Sequence, residues 1–191
     1  MNILTDSLPQ TVNVCGKEIP IKTDFKTWIR FTQIAFNDMS APLKSFEAIR
    51  LVFPELPPNL FEALVAVMDF YNPTKTVASA EEKKQTTKVY DFDYDANLIY
   101  SAFMQQYGID LQNADMHWYV FKALLDGLTD CTSFIKTLQF RCVDLSTIKS
   151  DDMRKYYADM KRYHSLPDNR SQGQKEADFS SAFKRTFVKG R

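Results

Sequence analysis

The 191-residue sequence predicts a mainly α-helical protein, an irregular multi-helix bundle with a short N-terminal β-hairpin. Three observations lead there. Aromatic residues are abundant, with 15 Phe and 9 Tyr, while Gly numbers only 5, a balance that suits helices better than a turn-rich sandwich or barrel. Apolar residues make up 45% of the chain, enough to fill a core. They also recur at helical spacing, in segments separated by proline, glycine and capping residues.

The hairpin is expected between Thr11 and Thr23, where apolar and polar residues alternate on either side of Cys15-Gly16-Lys17-Glu18 and Gly16 can supply a positive φ. Asp24 then caps a helix reaching about Asn37, with Phe25, Trp28, Ile29 and Phe36 along one face. A second helix runs from Pro42 to about Val52, with proline in the first turn, where its missing N–H costs little. F-P-E-L-P-P-N, residues 53–59, must interrupt it. Asn59 and Glu62 resemble a capping box for a third helix carrying Leu60, Leu64, Val65, Met68 and Tyr71. Further helices are expected from Tyr94 to Tyr107, ended by Gly108, and from Ala114 to Leu128, apolar nearly all round and therefore central. A shorter one spans Thr132 to Phe140. Ser150 and Asp151 open an amphipathic helix with Met153, Tyr156, Tyr157, Met160 and Tyr163 on one face.

Two stretches lack the residues to build a core. T-K-T-V-A-S-A-E-E-K-K-Q-T-T-K, residues 74–88, is polar and small, so a flexible loop is expected over 73–90. After a helical domain at 1–166, residues 167–191 read as a polar spacer and a basic amphipathic helix with Phe179, Phe183 and Phe187 at i, i+4 and i+8. The formal net charge is zero but unevenly spread. Residues 1–148 hold 13 Lys/Arg against 18 Asp/Glu, and residues 149–191 hold 11 against 6. An acidic body with a basic tail suits self-association or an acidic partner. Phosphate binding by the tail is diluted by its own carboxylates, which makes nucleic acid the weaker expectation.

The residues that could carry chemistry have structural alternatives. In Y-D-F-D-Y-D-A-N-L-I-Y, residues 90–100, Asp91, Asp93 and Asp95 alternate like the first ligands of a calcium loop. Continuing that register puts Ala96 and Ala102 where such a loop needs glycine and a bidentate carboxylate, so a helix cap from Asp93 or Asp95 is the preferred reading. His117 and His164 have no ligand-like neighbours and are expected to be structural. Cys15, Cys131 and Cys142 lack C-x-x-C spacing and a partner base, and are expected to be small core residues. With no phosphate loop or nucleophile motif, no catalytic residue, metal or cofactor is assigned. With no leader-like N-terminus and no long apolar run, the chain is expected to be cytoplasmic and without a membrane span.

The order of these segments resembles a family of phage and prophage proteins encoded beside the tail tape-measure gene, the gene-product-fifteen type. The features that carry it are M-N-I-L-T-D-S-L-P, the hairpin running into T-D-F-K-T-W-I-R-F, F-P-E-L-P-P-N, residues 90–111, M-H-W-Y-V-F-K-A-L-L-D-G-L and S-L-P-D-N-R. The resemblance implies a non-enzymatic tail-assembly chaperone of long, non-contractile tails. Such a protein would coat the tape-measure protein in the host cytoplasm, be displaced as the tail-tube protein polymerises, and be absent from the finished virion. Self-association fits this role. The expected partner-binding residues are Phe179, Phe183 and Phe187 with Lys184 and Arg185, and secondarily Tyr156, Tyr157 and Met160. A small phage nucleic-acid-binding or regulatory protein acting through the basic C-terminal region is the alternative.

Overall fold

The N-terminal hairpin and most of the helices after it share one aromatic core, in a computed structural model that describes residues 2–36, 40–72 and 89–167. Among these residues the protein is mainly helical, with seven helices and one two-stranded antiparallel sheet. Strands β1 (Thr11–Val14) and β2 (Lys17–Pro20) pair from Thr11 opposite Pro20 to Val14 opposite Lys17. The turn is tighter than expected, because Cys15 joins Gly16 at positive φ (52° and 76°) and two residues suffice, the geometry that matches strand twist. Val12 and Val14 face the core while Thr11 and Asn13 face out, as a period of two requires.

Helix α1 (Phe25–Phe36) starts as predicted, with the Asp24 carboxylate accepting from the Thr27 amide at 2.9 Å. Its buried face is Phe25, Trp28 and Phe31, with Ile29 only half-buried. Helix α2 (Ala41–Val52) carries Pro42 in its first turn, and its end is tied to the hairpin by the Lys22 amide donating to the Val52 carbonyl. Helix α3 (Leu60–Tyr71) is capped by Asn59, whose side chain accepts from Phe61 and Glu62 amides. The capping box is incomplete: Glu62 turns away to accept the Cys15 amide at 2.8 Å, pinning the hairpin turn to α3. The predicted face of α3 is also corrected. Ala63, Val67 and Phe70 go inward against β1 and α2, and Leu60, Val65 and Met68 stay exposed. Both sides of this helix are apolar, so periodicity alone could not choose between them.

Helix α4 (Ala96–Tyr107) buries Ile99, Ala102 and Phe103 and ends on Gly108 at φ 66°, as its sequence requires. Helix α5 (Trp118–Asp126) begins four residues later than predicted. Residues before it are extended because their backbone groups are used elsewhere: the Phe25 amide donates to the Met116 carbonyl and the Trp118 amide to the Thr23 carbonyl. His117 caps α5, its Nδ1 accepting the Tyr119 amide and its Nε2 bonding the Pro9 carbonyl at 3.0 Å. Helix α6 (Ser133–Cys142) follows the Thr132 cap, a short 3-10 turn at Leu145–Thr147 was not anticipated, and α7 (Asp151–Tyr163) starts at the Ser150 cap.

The core is a continuous aromatic stack. Phe70 lies 4.7 Å from Trp28, which faces Trp118 at 6.3 Å; Trp118 meets Phe121, and Phe121 is stacked between Phe25 at 4.8 Å and Phe103 at 5.2 Å. The polar atoms of the rings also have partners, with Trp28 Nε1 donating to the Lys22 carbonyl and Trp118 Nε1 to the Tyr71 carbonyl. The expectation that α5 is central therefore holds. The cysteine expectation does not: Cys15, Cys131 and Cys142 are all exposed and free, because they fall on a turn tip and on outward positions around α6.

Candidate functional site

The acidic stretch resolves into three carboxylates with separate duties. Asp91 accepts the Asp93 and Tyr94 amides at 2.7 and 3.0 Å and so forms the turn before α4. Asp93 accepts from the Gln33 side-chain amide. Asp95 occupies the cap position but caps nothing; its fully buried carboxylate takes both Arg141 nitrogens, at 2.7 and 2.8 Å. The predicted side-chain cap by Asp93 or Asp95 is thus corrected: α4 has no side-chain cap, because Asp93 is turned to Gln33 and the buried Asp95 carboxylate is taken by Arg141 and the Asp91 amide. Phe92, between Asp91 and Asp93 in the sequence, packs inward against Trp118 and Phe121. Among the described residues, no three His, Cys, Asp or Glu side chains are grouped where a metal ion could be held.

Arg141 is also the junction for the C-terminal part. Beyond Asp95 it donates to the Val89 carbonyl at 3.0 Å and, through Nε, to the His164 carbonyl at 2.6 Å. One side chain therefore ties α6 to the start of α4, to the last residues of the predicted loop and to the end of α7. Val89 and Tyr90 belong to the body rather than to that loop: the Tyr90 ring meets Phe92 and Phe134 edge-on, and burial raises its hydroxyl to about 12. Residues 73–88 lie outside the described residues.

Of the predicted partner-binding residues, Tyr156, Tyr157 and Met160 fall on α7. Tyr156 and Tyr157 gather with Phe140 of α6, at 6.5 and 6.1 Å, and the His164 ring stacks on Phe140 at 5.3 Å. Tyr157 and Met160 are half-buried in that contact, while Tyr156 remains exposed. Met153 and Tyr163, the latter 79% exposed, extend the outward surface of α7. The basic residues of α7 are largely engaged, Arg154 with Asp151 at 2.9 Å, Arg162 with Asp159 at 3.0 Å and Lys161 with the Val143 carbonyl at 2.8 Å. Phe179, Phe183, Phe187, Lys184 and Arg185 lie outside the described residues.

Sequence reasoning missed two surfaces. On α3, Phe61 is 75% exposed and aligns with Val65 and Met68 at i, i+4 and i+7, with Leu60 and Leu56 also exposed. The signal was present as an apolar residue at nearly every position of L-F-E-A-L-V-A-V-M-D-F-Y, more than one buried face can use. Between α1 and α4 lies a cleft of about 530 Å³ that combines buried Phe25, Phe92 and Phe121 with exposed Lys26, Asn97 and Gln112. Lys26 is anchored there on the Gln112 carbonyl at 2.7 Å, and the Tyr100 hydroxyl, raised by its hydrogen bond to Asp110, is a donor rather than a base. Such a cleft can take an apolar side chain. The exposed Cys15 thiol is likewise raised, chiefly by Glu62, which lowers its nucleophilicity. No described helix is long and apolar enough to cross a membrane.

Neither the curated proteins nor the solved structures contain a match to this chain. A family model does match, that of the Bacteriophage Gp15 protein, and its span of residues 4–166 reaches from before the hairpin to beyond α7. With that span covering every described element of the fold, the chain belongs to the bacteriophage Gp15 protein family.

Proposed function

We propose that this phage protein is a tail-assembly chaperone that binds the tape-measure protein, keeps it soluble, and is displaced when tail-tube protein polymerises around it. The observation that supports the reading is the surplus of large apolar side chains held outward on ordered helices, with Phe61, Val65 and Met68 on α3 and Met153, Tyr156 and Tyr163 on α7. The core is complete without them, so they are available to cover the apolar stripes of a long amphipathic helix. A chaperone that must later leave works best through modest patches used many times over, because each contact stays weak while their number holds the client.

The test is co-expression with the neighbouring tape-measure protein, followed by a solubility assay and a pull-down. Increased soluble tape measure and a stable complex are expected. If the tape measure is no more soluble with this protein than without it, and no complex forms, the reading is wrong.

A further inference from the structure

We propose that the outward ridge of α7 pairs antiparallel with the same ridge of a second copy of this chain, in a weak two-fold dimer. Asp152, Lys155, Asp159 and Arg162 are all exposed and recur at i, i+3, i+7 and i+10, the spacing that keeps side chains on one line along a helix. Their charges alternate along that line. Tyr156 and Tyr163, 51% and 79% exposed, run along one edge of it. Tyr157, Met160 and Lys161 are half-buried on the other side of the helix, which is turned to α6. The ridge therefore faces away from the body.

The order of charges selects both the occupant and its direction. Turned end for end about Tyr157, the middle of the 13-residue helix, the ridge meets its own complement: Asp152 lies opposite the partner's Arg162 and Lys155 opposite the partner's Asp159, and two-fold symmetry repeats both. Laid parallel, like charge meets like. The side chains of Asp152 and Lys155 have no hydrogen bond or ion pair among the described residues, so both lack the opposite charge that the partner supplies. Asp159 and Arg162 hold each other at 3.0 Å, but through one oxygen and one nitrogen of side chains 55% and 82% exposed, which leaves each able to take a second ion. Pairing extends that bond into a run of four alternating charges, Asp152, the partner's Arg162, the partner's Asp159 and Lys155, without breaking it. Size sets the strength. At about 1.5 Å per residue α7 is about 20 Å long, exposed ion pairs contribute little each, and a stable dimer buries about 800 Å² per partner, so a contact through this helix alone is reversible. The proposal does not depend on the chaperone reading and uses no residue of α3; Tyr156 and Tyr163 can serve a second copy or a client, one at a time.

The test is sedimentation velocity of the full chain over a concentration series, at about 0.1 M and about 1 M salt, between which the screening length falls from about 10 Å to about 3 Å. Reversible dimerisation is expected at the lower salt, weakened by about tenfold or more at the higher. Asp152→Lys alone sets two like charges opposite each other at both ends of the pair and should weaken dimerisation by about tenfold or more, as should Arg162→Glu alone. Combined in one chain, the two substitutions restore opposite charges in the antiparallel arrangement only, and dimerisation should return to near the wild-type level. That recovery also shows that neither single variant was lost to misfolding. The proposal is overturned if the full chain stays monomeric throughout the series, if either single variant dimerises as wild type, or if the combined variant is no stronger than the single ones. It is also overturned if truncation after Ser171 abolishes a dimer that the single variants retain, which would assign the contact to the C-terminal segment instead.

Discussion

Helices α5 and α7 are both rich in aromatic residues, yet Trp118, Tyr119, Phe121 and Leu125 of α5 are buried and no residue of α7 is. The difference is one of neighbours. α5 has α1 against it and the ends of α3 and the 89–95 segment over it, so its rings meet partners on most sides. Among the described residues α7 rests mainly on α6 and the short 3-10 turn, around Phe140. The same residue types thus make a core in one place and a wettable surface in the other. An aromatic stripe in sequence marks the capacity to bury area, and the packing decides whether the chain itself uses that capacity.

The comparison can be broken most severely at Phe121, where alanine should cost about 3–5 kcal/mol in urea unfolding, as for a large ring deleted from a close-packed core. Should Phe121→Ala cost no more than Tyr156→Ala, the two helices are not different in kind. Arg141→Met should come close, at about 3–5 kcal/mol, because it leaves the buried Asp95 carboxylate uncompensated, and Asp95→Leu added to it should recover most of the loss. The same Arg141 variant should speed amide exchange at the end of α7 more than in α5. A variant in which both helices exchange alike would mean that α7 is not joined to the body through this side chain.

The helix caps sharpen the contrast at lower energy. His117→Ala should cost about 1–2 kcal/mol, since it removes both the α5 cap and the bond to Pro9, whereas Ser150→Ala should cost about 0.5–1 kcal/mol at exposed α7. Alkaline titration reports on the two tyrosines shifted by burial. Burial raises Tyr119, whose hydroxyl donates to the Phe70 carbonyl, and Tyr90 each to about 12. With folded values above the unfolded value near 10, their contribution to stability is intact below about pH 10 and is lost as pH rises towards 12. In tyrosinate absorbance these two should ionise only as the pH approaches 12. The smallest effect is expected at Tyr163→Ala, within about 0.5 kcal/mol, as for other exposed side chains.

Much of the local structure was legible in the sequence because its causes are local. Asp24, Asn59, Thr132 and Ser150 start helices where their side chains meet nearby amides, and Gly108 ends one because only glycine takes its φ without strain. The resemblance to the gene-product-fifteen family was also legible, and the family match confirms it at that level. The candidate site was less so. The residues first proposed on α7 are only partly outward, and the α3 stripe was taken for a buried face. Asp95 reads as a cap until Arg141, 46 residues away, claims it. Cys15, Cys131 and Cys142 were small and apolar enough for a core, but their positions on the surface follow from where β1, α5 and α6 are packed.

By itself, then, the sequence determined where most elements begin and end, though not the start of α5, that they are mainly helical, and which phage family the chain joins. Those depend on backbone conformations and hydrogen bonds within a few residues, and on residue order. Only the tertiary structure decided which side of α3 is inward, which aromatic helix is core and which carboxylate holds Arg141. Each of these is a choice between chemically similar alternatives, settled by neighbours brought together from distant parts of the chain.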